Sequence, residues 1–106
     1  LIDNRMRHDI VEIWGWMCTN CKTAQASELH HCIIHARKGK YTKDKNLDKI
    51  YNLTPVCHAC NVSRILDNDH MHREYWRRHC EMFGRDVMLE WLAQVNLRYV
   101  EKYSFE

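Results

Sequence analysis

The sequence predicts a small α+β domain, and three observations carry that expectation. Two Cys-x-x-Cys knuckles, Cys18/Cys21 and Cys57/Cys60, bracket the middle of the chain. Two short stretches, 27–34 and 53–56, read as extended, the first as a strand or hairpin arm. On both sides of this region apolar residues recur at helical spacing. At 106 residues the chain is one domain, small enough that a metal cross-link would matter to its stability.

The elements follow in order. Asp3 or Asn4 caps a first helix to about Trp14, with Met6, Ile10 and Trp14 on one face and Gly15 as its stop. Residues 16–23 form the first knuckle. Residues 36–48 are polar and lysine-rich and read as an exposed loop. Leu47 and Ile50 pack a short turn before Asn52, and 53–56 leads into the second knuckle. A helix starts near His58 or Ala59 and carries Val62, Ile65 and Leu66 toward the core. Asp69 caps the next, in which Met71, Tyr75, His79 and Met82 recur; Gly84 breaks it. Asp86 caps a last helix with Val87, Met88, Trp91, Leu92 and Val95 in one stripe. These stripes read as core rather than as binding surface.

Composition narrows the function. The chain is 45% hydrophobic and 28% charged with a single Pro, which marks a globular rather than a disordered protein. The formal charge is only +2, and four thiolates on one zinc ion would offset it by about two charges. A nucleic-acid partner must therefore rest on local clusters. No apolar run reaches the roughly 20 residues of a membrane span, and no signal-peptide pattern opens the chain. Six cysteines could also make three disulfides in a secreted protein. Paired knuckles without a signal peptide favour structural Zn²⁺ on Cys18, Cys21, Cys57 and Cys60 in a reducing cytoplasm. Cys32 and Cys80 lie outside the knuckles and read as small buried thiols. The first residue is Leu, which fits a segment of a larger parent protein; a homodimer is equally open.

The chemistry-bearing residues sit between and after the knuckles. Adjacent strand residues point to opposite faces, so His30 and His31 cannot do the same work from the same side. The ordered array Cys18-x-x-Cys21, Leu29-His30-His31, Asn52-Leu53-x-Pro55-x-Cys57-x-x-Cys60-Asn61 resembles the zinc-containing HNH endonucleases over about residues 16–66. The resemblance implies a ββα-metal core, two antiparallel strands and a helix around a catalytic metal, here with flanking N- and C-terminal helices. It implies that His30 ligates that metal and that His31 is the general base, a neutral imidazole able to take a proton from water near neutral pH. Asn52 matches the central Asn and would bond the backbone near His31. Asn61 matches the final ligand; many members carry His there. An amide oxygen is a hard ligand, suited to Mg²⁺ or Mn²⁺. A further ligand that some relatives place one turn later is absent, since Ile65 stands there. The implied reaction is hydrolysis of DNA phosphodiester bonds to a 5′-phosphate and a 3′-hydroxyl, in the cytoplasm of a bacterium or a phage-infected cell.

The substrate track is read from charge. Arg37, Lys38, Lys40, Lys43 and Lys45 crowd the loop after the histidines, with Tyr41 among them, and Arg64 sits one turn into the site helix. Arg73, Arg77 and Arg78 form a second basic group, diluted by Glu74 and Glu81, and read as a solvated helix face. His35 and His58 read as surface or supporting residues. Two other functions compete: a non-catalytic zinc module that docks nucleic acid or protein, and a redox protein that cycles a Cys-x-x-Cys disulfide.

Overall fold

A computed structural model describes residues 2–35 and 45–106. Arg37, Lys38, Lys40, Lys43 and Tyr41 lie outside those residues, and of Lys45 only the backbone is described. Helix α1 spans Asn4–Trp14; the Asp3 carboxylate accepts from the Met6 amide at 2.8 Å, and Gly15 ends the helix at φ 76°. That positive φ is where a residue without Cβ belongs. Strands β1 (Glu28–His31) and β2 (Leu53–Val56) pair antiparallel, with Glu28 opposite Val56 and His31 opposite Leu53. Short 3₁₀ turns at Lys45–Leu47 and Ile50–Asn52 lead into β2, with Leu47 buried as the turn reading expects. Every residue of β2 is buried, because α1 covers it from one side.

Helix α2 (His58–Val62) leaves the second knuckle, followed by α3 (Asp69–Phe83), α4 (Arg85–Val95) and α5 (Leu97–Tyr103). The core runs through the faces of these helices: Tyr75 and Trp76 from α3, Met88, Trp91 and Leu92 from α4, and Tyr103 from α5, against Cys32 and Val56. Burying side chains of this size contributes about 1.5–3 kcal/mol each. No helix among the described residues is long and apolar enough to cross a membrane.

Four expectations need correction. Helix α2 stops at Val62, so Val62 and Ile65 are more than half exposed and only Leu66 enters the core. The cap of α3 is Asn68, whose Oδ1 accepts from the Met71 amide at 2.9 Å; Asp69 is the first helical residue. Asp86 does not cap α4, because Gly84 at φ 95° already turns the chain from α3 into it. The C-terminal extension holds three helices, not two. Asn96 caps α5, and Tyr103 packs against Trp76 with ring centroids 4.8 Å apart.

Candidate metal centre and the histidine cluster

The two knuckles are brought together by β2. Thr19 in the first donates its amide to the Pro55 carbonyl at 3.0 Å, and Cys57, directly after β2, caps α2. Lys22 adopts φ 61° to close the first knuckle, a left-handed turn reinforced by its amide bond to the Cys18 carbonyl. The sulfurs of Cys18, Cys21, Cys57 and Cys60 consequently lie within 4.8 Å of one another. Cys21 and Cys57 Sγ are 3.9 Å apart, and tetrahedral zinc with bonds of about 2.3 Å separates its sulfurs by roughly 3.8 Å. The cluster is compatible with a zinc site.

The electrostatics agree. Hydrogen bonds from Thr23 and from the Ala24 amide draw Cys21 down to about 5. Cys60 is pushed up to about 11: the Asn20 amide, 3.3 Å from its sulfur, favours the thiolate, but burial and the three neighbouring thiols outweigh it. One thiol ionises readily while another resists; a bound cation lets all four be thiolates. Cys32, buried beside the sheet, is pushed well above the ordinary thiol range by burial and is no part of this cluster.

His30 and Asn61 meet next to the thiol cluster, since Asn61 directly follows Cys60. β1 turns His30 inward, and α2 delivers Asn61 directly after Cys60. His30 Nδ1 and Asn61 Oδ1 are 3.0 Å apart. The amide is held in that orientation by Glu28, whose Oε1 accepts from Asn61 Nδ2 at 2.7 Å; its other oxygen pairs with His58 Nδ1. Asn61 first, and then His58, hold the Glu28 carboxyl below its ordinary value. Burial, aided by the nearby His35, lowers His30 to about 4, so its ring is neutral near pH 7. Glu28 escaped the sequence reading, although its spacing two residues before His30 puts both on one strand face.

His31 points the other way. Its Nε2 lies 2.7 Å from Asp48 Oδ1, with both side chains about a quarter exposed. Asn52 is fully buried and makes four bonds. Its Oδ1 accepts from the amides of Ile33 and Ile34 at 3.0 and 2.9 Å, and its Nδ2 donates to the carbonyls of Ile34 and Leu47 at 2.9 and 3.1 Å. This is a bond to backbone just after His31, as expected for Asn52, and it ties the chain after β1 to the turn that carries Asp48.

Beyond His30 a second group assembles. His35 Nε2 is 3.3 Å and His72 Nε2 3.8 Å from the two oxygens of Asp67, and the His35 ring lies 5.4 Å from that of His30, edge to face. Burial lowers His72, so this ring too is neutral near pH 7. Arg64 follows α2 at φ 60° and is exposed. The second basic group is tied down: Arg73 pairs with Glu106, Arg77 and Arg78 pair with Glu74, and Trp76 is buried, in line with a solvated helix face. No family model matches this chain, and comparison with curated proteins and with solved structures gives no match either.

Proposed function

We propose that this chain is a metal-dependent HNH-type endonuclease that hydrolyses phosphodiester bonds in DNA. The observation that carries the reading is the His30–Asn61 pair. His30 Nδ1 donates to Asn61 Oδ1 at 3.0 Å; with that proton moved to Nε2, the same two atoms would suit neighbouring positions on a Mg²⁺- or Mn²⁺-sized ion with bonds of about 2.1 Å. They stand on a strand and on the helix that follows its partner strand, beside the thiol cluster, in the order the ββα-metal resemblance implies. When bound, the divalent metal supplies charge stabilisation to the phosphate under attack.

The protein's residues supply the rest. His31 takes the proton from the attacking water, and Asp48 holds that imidazole in place. Asn52 fixes the chain that carries both. Glu28 keeps the Asn61 amide oxygen turned toward His30. Arg64 and the lysine-rich segment with Arg37, Lys38, Lys40, Lys43 and Lys45 bind the DNA backbone without reading its sequence.

A second reading has one observation in its favour. With His31 Nε2 already on Asp48, the pair can equally be a polar tie in a non-catalytic zinc module that docks nucleic acid or protein. Supercoiled plasmid incubated with the protein in Mg²⁺, Mn²⁺ or EDTA, beside His31→Ala, separates the two. Metal-dependent nicking that disappears in His31→Ala supports the nuclease; nicking at the wild-type rate in that variant rejects the mechanism. An Asn61→Ala variant should need more metal for the same rate, and an unchanged metal titration rejects Asn61 as ligand.

A further inference from the structure

Helix α5 closes a cavity beside the histidines. The Tyr103 hydroxyl donates to the Ile33 carbonyl at 3.3 Å, which pins α5 against the segment leaving β1. Arg98 and Lys102 stand four residues apart and so share one face of that helix. Together with His35, from the segment leaving β1, and His72, from the first turn of α3, they line a cavity of about 330 Å³. That volume lies within the range of small-ligand sites. Asp69 is the one acidic side chain of the lining among the described residues. It lies 3.5 Å from Lys102 Nζ, an exposed pair of a kind that holds weakly. Arg98 adds a second cation, so the lining is positive on balance. Its Nη2 donates to the Tyr99 hydroxyl at 3.3 Å, and its guanidinium carbon lies 5.1 Å from that ring's centroid. The Asp67 carboxylate is outside the lining and meets His35 and His72 at 3.3 and 3.8 Å. The arginines of α3 are committed to carboxylates instead, Arg77 and Arg78 to Glu74 and Arg73 to Glu106.

We infer that this cavity seats a backbone phosphate of the DNA, a few nucleotides from the bond under attack, with Arg98 and Lys102 as its ligands; the assignment rests on the endonuclease reading. A guanidinium fork meets two phosphate oxygens, and an ammonium supplies a point charge beside them. The distance to the candidate site suits such a role. Ring centroids step 5.4 Å from His30 to His35 and 6.1 Å from His35 to His72. A strand advances about 3.4 Å per nucleotide, so these two steps cover only a few nucleotides. Contacts of this kind fix register and orientation without reading bases. The C-terminal helix, which lies outside the residues that carry the resemblance, would thereby align the strand on the His30–Asn61 pair.

The test is binding of a short fluorescent DNA duplex to the zinc-loaded protein, without added Mg²⁺ or Mn²⁺, over about 50–200 mM salt. Arg98→Gln combined with Lys102→Gln should weaken binding by roughly tenfold at the low end and reduce the salt slope by about 1. Lys102→Gln alone, expected to show part of the loss, serves should the double variant fail to fold. Arg77→Gln, on the α3 face, should bind as the wild type does. Equal affinity and slope in the wild type and the folded variants overturn the inference. So does equal weakening in Arg77→Gln, which would make any surface cation count alike. Displacement of the duplex by millimolar inorganic phosphate at constant ionic strength would assign the cavity to free phosphate and overturn the DNA assignment. Plasmid cleavage is a separate readout. Cleavage with unchanged duplex binding in the variants rejects the phosphate seat alone, whereas absent cleavage with the expected binding loss rejects the nuclease and keeps the seat.

Discussion

His31 and Asp48 are joined by a 2.7 Å contact between Nε2 and Oδ1, although one ends β1 and the other lies in the turn that precedes β2. A charge-assisted bond of this kind contributes about 1.5–3 kcal/mol. If His31 is the base, Asp48→Asn should lower kcat by about 10- to 100-fold and leave KM for DNA nearly unchanged. Asp48→Glu should restore part of the loss. Loss of the base itself, in His31→Ala, should cost more, about 10²–10⁴-fold. Equal kcat in Asp48→Asn and wild type would show that the carboxylate does not serve the imidazole.

Asn52 holds the backbone after His31 to the turn before β2, so its removal should be read in stability as well as in rate. Its removal in Asn52→Ala leaves two buried amides and two buried carbonyls without their partner. The expected loss is about 3–5 kcal/mol, read from the midpoint of denaturant unfolding. Asn52→Asp should be nearly as damaging, since a carboxylate cannot donate to the Ile34 and Leu47 carbonyls. A loss under about 1 kcal/mol would mean that water replaces the amide.

The thiol cluster should hold the two knuckles together only while a metal is bound. Stripping with a strong chelator, or Cys60→Ser, should lower Tm by at least about 10 °C and expose the α1–β2 contact to hydrogen exchange. Zinc added back should restore the chelated protein. An unchanged Tm after verified metal removal would reject a structural role.

His79 gives the fold a pH dependence. The ring is fully buried, near Cys32 and beside Arg78 in the sequence, with its nitrogens 2.9 and 3.1 Å from the Tyr75 and Leu53 carbonyls. Burial outweighs those two acceptors and lowers its pKa. The unfolded chain takes up this proton near pH 6.5, the folded chain only at lower pH, so the unfolded state binds more protons between the two values. The contribution is complete above about pH 6.5 and is lost as pH falls toward the folded-state value. Unfolding free energies of wild type and His79→Gln, compared from about pH 7 to 5, should show the steeper fall in the wild type. Parallel curves would remove His79 as the cause.

Local signals were legible in the chain. Asp3 and Gly15 marked both ends of α1, Gly84 marked the break between α3 and α4, and each Cys-x-x-Cys spacing marked one half of the thiol cluster. These depend on neighbours within one or two turns, where backbone geometry fixes which residues meet. Asn96 before Leu97, Val100 and Tyr103 was also a readable cap for α5, and that helix was passed over. The tertiary structure alone decided the rest. The sequence could pair His31 with any carboxylate; the β1–β2 register and the four bonds of Asn52 select Asp48. Glu28 was set on Asn61, and Asp67 between His35 and His72, by the same long-range closure. Periodicity and spacing carry no record of which distant side chains a folded backbone brings together, because that depends on how the elements pack and not on any one of them.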